Sequence, residues 1–201
     1  MSSEAIELYR KTLRKYEEFT NKCEDLLITL FQESEFNYQL VESRTKTLLS
    51  FEDKISRKKY IDPIKEITDM CGLRIIVYYI EDIEEVKKLI RANFVIDEEN
   101  SMDKSAELET NQFGYLSHHF VVSLSENRIS LPEWRTYSDF KAEIQVRTVM
   151  QHSWASIFHE LHYKKPKEFP KKLDRKLFRL AALIELADEE LLNIKEKYNL
   201  E

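Results

Sequence analysis

Glycine occurs only twice in this chain of 201 residues, at Gly72 and Gly114, against an ordinary usage of about 7%. A glycine-rich loop that wraps backbone N–H groups around a phosphate therefore cannot be built. That excludes a Walker-type P-loop and a Rossmann dinucleotide turn. If the chain grips a nucleotide, side-chain cations must do the gripping. Lys and Arg number 31 against 37 Asp and Glu, a net charge of −6, so any polyanion contact has to come from a local basic cluster. With 42% hydrophobic and 34% charged residues, the chain carries enough apolar mass for a core and is not a disordered polyelectrolyte. Its length suits one domain, residues 1–201. Cys23 and Cys71 form no metal or redox spacing. The N-terminal MSSEAIELYR has no apolar h-region, and no run approaches the ~20 apolar residues of a membrane span. The expectation is a reducing, cytoplasmic setting with no membrane partner.

Apolar periodicity sets out the elements. Ile6, Tyr9, Leu13, Tyr16, Cys23, Leu27 and Leu30 recur at spacings of 3 and 4 with no Gly or Pro between them, a long helix within residues 1–35. Leu173, Leu177, Leu180, Ile184, Ala187, Leu191, Ile194 and Tyr198 repeat the pattern within residues 171–199. Both stripes are read as packing on the protein's own sheet. Their heptad-like seam also suits a homo-oligomer contact. Between them, residues 45–58 read as a helix, Ile61–Ile67 as a short helix, Leu73–Ile80 as a central strand and Ile83–Asn93 as a helix. Phe94–Ile96, His119–Leu124 and Phe140–Arg147 read as strands, and a helix follows from Thr148, its N-cap, to about Tyr163. The expected fold class is α/β (α+β), a mixed central sheet with flanking helices. Asp97–Glu109, with six acids against Lys104, reads as a mobile acidic loop.

Two basic islands interrupt the acidic background, six cations within residues 44–59 and eight within 164–179. On a helical wheel Lys46, Ser50, Lys54 and Arg57 fall within an arc of about 80°, opposite Leu48, Phe51 and Ile55. Such a row suits a polyphosphate, and it suits equally a solvated basic face. Strand alternation puts Glu143, Gln145 and Arg147 on one face, which must be wet, paired or lining a site. Should the strand after Asp69 lie beside it, Asp69 and Glu143 converge as a divalent-cation pair; otherwise Asp69 caps and Glu143 pairs with Arg. His159-Glu160-Leu161-His162 misses the zincin spacing by one residue, and His152 and His159 share a helix face at the core or site edge. Ser117 and His119 lack a nucleophile elbow. Gly114 lets a backbone approach a ligand, and Tyr115 after it either stacks on a base or packs in a turn.

Taken in order, RTKTLLSFEDKISRK (44–58), DMCGLR (69–74), FGYLSHH (113–119), EIQVRT (143–148) and HSWASIFHELHYK (152–164) resemble the synthetase domain of the RelA/SpoT family, the (p)ppGpp alarmone synthetases. The resemblance covers residues 43–164, about three-fifths of the chain. The short length, with no hydrolase region ahead of it, resembles a small stand-alone synthetase. The family implies a nucleotidyltransferase-like synthetase fold. It also implies transfer of the β,γ-pyrophosphate of ATP to the ribose 3′-hydroxyl of GDP or GTP with Mg²⁺. Position by position, Arg44 and Arg74 would sandwich the adenine, and Lys46, Ser50, Lys54 and Arg57 would hold the phosphates. Asp69 would bind Mg²⁺, with Glu143 as second carboxylate and base. Gln145 and His119 would orient the acceptor hydroxyl and its phosphates. Tyr115 would stack on the acceptor base, with Arg147 beside it on the acceptor side.

The departures lie around the acceptor. Leu116 stands where relatives carry Arg, and Asn111 where they commonly carry Lys. Toxic relatives that pyrophosphorylate the 3′-end of tRNA, and that pair with a neutralising antitoxin, share a weakened free-nucleotide site. A tRNA acceptor bound by the second basic island is therefore the alternative. An inactive nucleotide-binding regulatory module is a third reading.

Overall fold

The glycine- and proline-free N-terminal stretch is one helix, α1 (Ser2–Glu33), in the computed structural model, which describes residues 2–103, 114, 117–163, 170–198 and 200. After it come strand β1 (Leu40–Thr45), helices α2 (Leu48–Arg57) and α3 (Pro63–Glu66), strand β2 (Cys71–Val77), helix α4 (Asp82–Asn93) and strands β3 (Phe94–Ile96), β4 (Met102–Asp103) and β5 (His118–Leu124). Helix α5 (Glu126–Ile129), strand β6 (Lys141–Thr148) and helices α6 (Val149–Tyr163) and α7 (Lys171–Tyr198) complete the described chain. Among the described residues the strands form one mixed sheet ordered β1-β2-β6-β5-β3, with β4 also on β5. Only β2 and β6 run parallel; the other pairs are antiparallel. No described helix is long and apolar enough to cross a membrane.

The pairing register sorts the sheet into two unlike faces. On one, Val41, Leu73, Ile75, Ile144, Val146, Phe120 and Val122 pack with Tyr9, Tyr16, Phe19, Leu27 and Phe31 of α1 and Val86 and Ile90 of α4. Each large apolar group buried there contributes about 1.5–3 kcal/mol. On the other face lie two rows of polar residues. Arg44, Gly72 and Glu143 form one; Glu42, Arg74, Gln145 and His119 form the next. Helix α6 packs on β6 and β2.

The N-terminal stripe is wider than its spacing suggests, because Phe19 and Phe31 are buried as well. Its polar gap is filled by hydrogen bonds. Thr20 Oγ1 donates to the Tyr16 carbonyl at 2.7 Å and accepts from Thr45 Oγ1 at 3.0 Å.

The expected helix over residues 45–58 is corrected at its start. Residues 40–45 pair with β2, and α2 begins only at Leu48. Thr47 has extended backbone, and its hydroxyl accepts from the Ser50 N–H at 3.2 Å, an N-cap that ends the strand-like segment. β1 escaped notice because its inner face holds Val41, Ser43 and Thr45, one large apolar residue among two hydroxyls. The central strand stops at Val77 rather than Ile80. Asp97, expected in a mobile loop, is held by Lys141 Nζ at 2.7 Å, and Met102–Asp103 joins the sheet. Residues 104–109 of that loop lie outside the described residues.

α6 opens with a reciprocal capping box. Thr148 Oγ1 accepts from the Gln151 N–H, and Gln151 Oε1 accepts from the Thr148 N–H, both at 3.1 Å. α7 packs on α6 rather than the sheet. Leu177, Ala181 and Asp188 are buried and Ile184 packs with Trp154 and Ala155, a face rotated by about 60° from the expected stripe. Most of that stripe is exposed, including Leu180, Leu191, Ile194 and Tyr198. Near its end Lys195 Nζ reaches Glu81 at 2.5 Å and sits 4.3 Å from the Tyr79 ring centre.

Asp188 is a buried acid at this junction, accepting from Thr148 Oγ1 at 2.8 Å. Burial pushes its carboxyl up to about 6, only partly countered by the Thr148 hydroxyl. The folded value lies above the ~3.9 of an unfolded Asp. Stability is therefore fully present below about pH 4 and is lost as pH rises toward 6. Asp188→Asn should stabilise the protein at pH 7 by up to about 2 kcal/mol and change little at pH 4, measured as urea midpoints at both values. A less stable variant at pH 7 would mean that the ionised carboxylate is used rather than tolerated.

Candidate active site

The polar face of the sheet and helix α2 enclose a cleft of about 910 Å³. β1 brings Arg44 and Glu42 to it, β2 brings Gly72 and Arg74, and β6 brings Glu143 and Gln145. The chain between β1 and α2 supplies Lys46, α2 supplies Ser50, Lys54 and Arg57, and Asp69 enters just before β2. Lys46 is therefore not part of the helical row expected of it, yet it meets the same cleft. Its backbone is pinned from two sides. The Tyr9 hydroxyl donates to its carbonyl at 2.6 Å, and its N–H donates to the Met70 carbonyl at 2.9 Å. Phe51, fully buried against Tyr9 with ring centres 4.3 Å apart, seats α2 on α1.

Six cations and four carboxylates line this cleft, a local positive excess in a protein of net charge −6. Asp69 takes Lys46 Nζ at 2.9 Å on one oxygen and Lys54 Nζ at 2.8 Å on the other. Burial alone would raise its carboxyl; hydrogen bonds from Lys54 and Lys46 outweigh that and hold it below the usual carboxylate range. Arg57 is shared with Asp53 at 2.7 Å, and Arg74 with Glu42. A Cβ at Gly72 would meet only the Arg44 carbonyl oxygen, at 3.4 Å. The glycine is thus not demanded by backbone geometry, and it leaves the floor between Arg44 and Glu143 open.

Glu143 is gripped by its neighbours along the sheet. Its Oε1 accepts from Gln145 Nε2 at 2.7 Å and lies 3.3 Å from His119 Nδ1. Burial pushes Glu143 up, but the His119 and Gln145 hydrogen bonds prevail and hold it low, against a smaller upward push from the Asp69 charge. Both carboxylates are therefore ionised at neutral pH. Among the described residues no group of three or more His, Cys, Asp and Glu gathers around a point. The protein offers a pair of carboxylates in one cleft, a donor set that fits Mg²⁺, which takes one or two carboxylates and fills its other positions with phosphate oxygens and water.

The expected residues fall into three groups. Arg44, Lys46, Ser50, Lys54, Arg57, Asp69, Arg74, Glu143 and Gln145 all line the cleft. His119 reaches it through Glu143, and Arg147 is buried behind it, 6% exposed, donating to Ser117 and Gln145. Tyr115, Leu116 and Asn111 lie outside the described residues. Glu42, Lys58, Tyr60 and His159 also line the cleft, and the sequence did not single them out as ligands. His159 was traceable by its helix face, seven residues after His152. Glu42 was not, because its strand went unseen. His152 is held low by burial and by the Arg74 and Arg147 charges.

The chain matches a family model described as a region found in RelA / SpoT proteins over residues 43–168. It is 31% identical over 160 residues to the GTP pyrophosphokinase YwaC of Bacillus subtilis (strain 168), covering 78% of this chain and 73% of that protein. With the GTP pyrophosphokinase YjbM of the same strain it shares 32% identity over 164 residues, covering 78% and 72%. Its fold superposes on small alarmone synthetase 1 from Bacillus subtilis with a TM-score of 0.79 at 27% identity, covering 96% of this chain and 98% of that one. The same enzyme bound to its product pppGpp gives a TM-score of 0.78 at 27% identity over 94% and 97% of the two chains.

Asp69 holds Lys46 and Lys54 and so competes for them with any incoming anion. Asp69→Asn should therefore tighten binding of inorganic tripolyphosphate in the presence of EDTA by about tenfold, the scale of one unit charge removed near a partly screened pair. Titration calorimetry reads this directly. Weaker binding would mean that Asp69 orders the lysines rather than competing for them.

Proposed function

The chain belongs to the RelA/SpoT family, and on that premise we propose that this cleft binds ATP with Mg²⁺ and carries out the chain's GTP pyrophosphokinase reaction on residues of α2, β2 and β6. The protein is a pyrophosphotransferase that makes (p)ppGpp, moving the β,γ-pyrophosphate of ATP to the 3′-hydroxyl of GDP or GTP. The observation that carries the site assignment is the meeting of Lys46, Lys54, Arg57 and Asp69 with Glu143 and Gln145 in one cleft.

Lys46, Lys54 and Arg57 receive the phosphates as side-chain charges, doing the work that a glycine-rich loop performs elsewhere. Arg74 and Arg44 flank the adenine. Asp69 would hold Mg²⁺, which would neutralise charge on the phosphate oxygens, and Glu143 is left to face the acceptor. The acceptor 3′-oxygen attacks the β-phosphorus, the bond from that phosphorus to the α,β-bridging oxygen breaks, and AMP leaves with that oxygen. The hydroxyl proton passes to Glu143. A carboxylate held low is a weak base at rest. It suffices because the proton becomes acidic only as the new O–P bond forms, and most of the catalysis is alignment and charge stabilisation. Gln145 and His119 keep Glu143 in place, and Tyr115 stacks on the guanine.

The test offers labelled ATP and Mg²⁺ with GDP, GTP or deacylated tRNA in separate tubes. Label should appear on the guanine nucleotides, and Glu143→Gln should lower the rate by about 10² or more while ATP binding persists. Label on tRNA alone would transfer the acceptor role to RNA. The exposed Lys171, Lys172, Arg175, Lys176 and Arg179 of α7 would then be the surface to mutate. Label on neither would reject both.

A further inference from the structure

Behind the cleft a continuous series of hydrogen bonds runs along the polar face of β6. Arg147 Nε donates to Ser117 Oγ at 2.9 Å, and Arg147 Nη2 donates to Gln145 Oε1 at 2.6 Å. Gln145 Nε2 in turn donates to Glu143 Oε1 at 2.7 Å. Ser117 is fully buried and Arg147 nearly so. From these contacts we infer that Arg147 is a positioning residue for Glu143, acting through the amide of Gln145. The inference rests on Glu143 being the group that receives the hydroxyl proton.

The two ends of a glutamine amide are nearly alike in shape, so something must decide which end faces the carboxylate. A guanidinium has only donors and stays charged. It donates to the amide oxygen and offers no acceptor to the NH₂, which turns that NH₂ onto Glu143. The reversed amide would set donor against donor at Arg147 and oxygen against carboxylate at Glu143, two mismatches in a partly buried site. His119 Nδ1 also meets Glu143 Oε1, so both protein contacts fall on one oxygen. Oε2 has no hydrogen bond from the described residues and is the oxygen left for the acceptor hydroxyl.

The same guanidinium reaches Ser117, immediately before β5 and two residues after Tyr115. One buried cation therefore ties the strand that follows the acceptor-stacking tyrosine to the carboxylate that must meet the acceptor. A buried guanidinium is costly unless its donors are used. Here one is used on Ser117 and another on Gln145.

The experiment compares wild type with Arg147→Met, Arg147→Lys and Ser117→Ala. Arg147→Met should lower kcat by about 10- to 100-fold, the scale of a small misplacement at the reacting atoms, with KM for ATP within about twofold. Arg147→Lys still presents only donors to Gln145, and it should recover at least about tenfold of that loss. Ser117→Ala, the smaller change in the same buried contact, should lower kcat about threefold or more at unchanged KM for ATP. In the ligand-free protein an NOE from the Gln145 side-chain NH₂ to the His119 ring should be present in wild type and Arg147→Lys and lost in Arg147→Met. An NOE that persists in Arg147→Met, or kcat within twofold of wild type in both Arg147→Met and Ser117→Ala, overturns the inference. So does an Arg147→Lys variant as impaired as Arg147→Met. An inactive wild type would reject the reading of the cleft instead, and the NOE comparison would still decide the role of Arg147.

Discussion

The site depends on the parallel pairing of β2 with β6, Gly72 opposite Glu143 and Arg74 opposite Gln145. Ala142, Ile144 and Val146 between the polar residues of β6 are completely buried. A slip of one residue would push those three into the cleft and drive Glu143 and Gln145 into the core. The hydrophobic energy of the inner face thus locks the positions of the carboxylate and the amide on the outer one. The two strands are some 70 residues apart in the chain, so core packing pulls the site together from distant parts of the sequence.

Within that frame the charges are arranged as exchangeable pairs. Lys46 and Lys54 share Asp69, Arg57 shares Asp53, and Arg74 shares Glu42. The cations are thereby held at the cleft by ion pairs, an arrangement that would reduce the side-chain ordering needed to bind an anion there. A polyphosphate entering the cleft would exchange one set of partners for another, with the Lys46 backbone clamped by Tyr9 and Met70. This also reconciles an acidic protein with an anionic substrate. The overall charge is negative, and the potential that matters is set by side chains within a few ångströms.

The helices were readable to different depths. α1 announced itself because a stripe at spacings of 3 and 4 from Ile6 to Leu30, about seven turns, has no other stable use. α7 announced its helix equally well but not its docking face. Its buried line runs through Leu177, Ala181 and Asp188, and an aspartate and an alanine carry no hydrophobic signal. β1 was invisible as a strand because edge strands need little apolar content, and the helix expected over residues 45–58 ran back onto its last residue, Thr45. Glu42 was missed for that reason alone.

Residue chemistry was legible throughout. Two glycines excluded a backbone phosphate cradle, the basic segment 44–59 marked the cations that line the cleft, and the alternation of Glu143, Gln145 and Arg147 marked a strand face that could not be plain core. Those conclusions follow from local rules of sterics, charge and period, which act within a few residues. Tertiary structure alone decided that Asp69 and Glu143 line the same cleft and that Lys46 belongs with α2 despite lying outside it. It also separated Gln145, which faces the cleft, from Arg147, which is buried behind it although the two share a strand face. Register and burial are settled by contacts across tens of residues, and no local pattern carries that information.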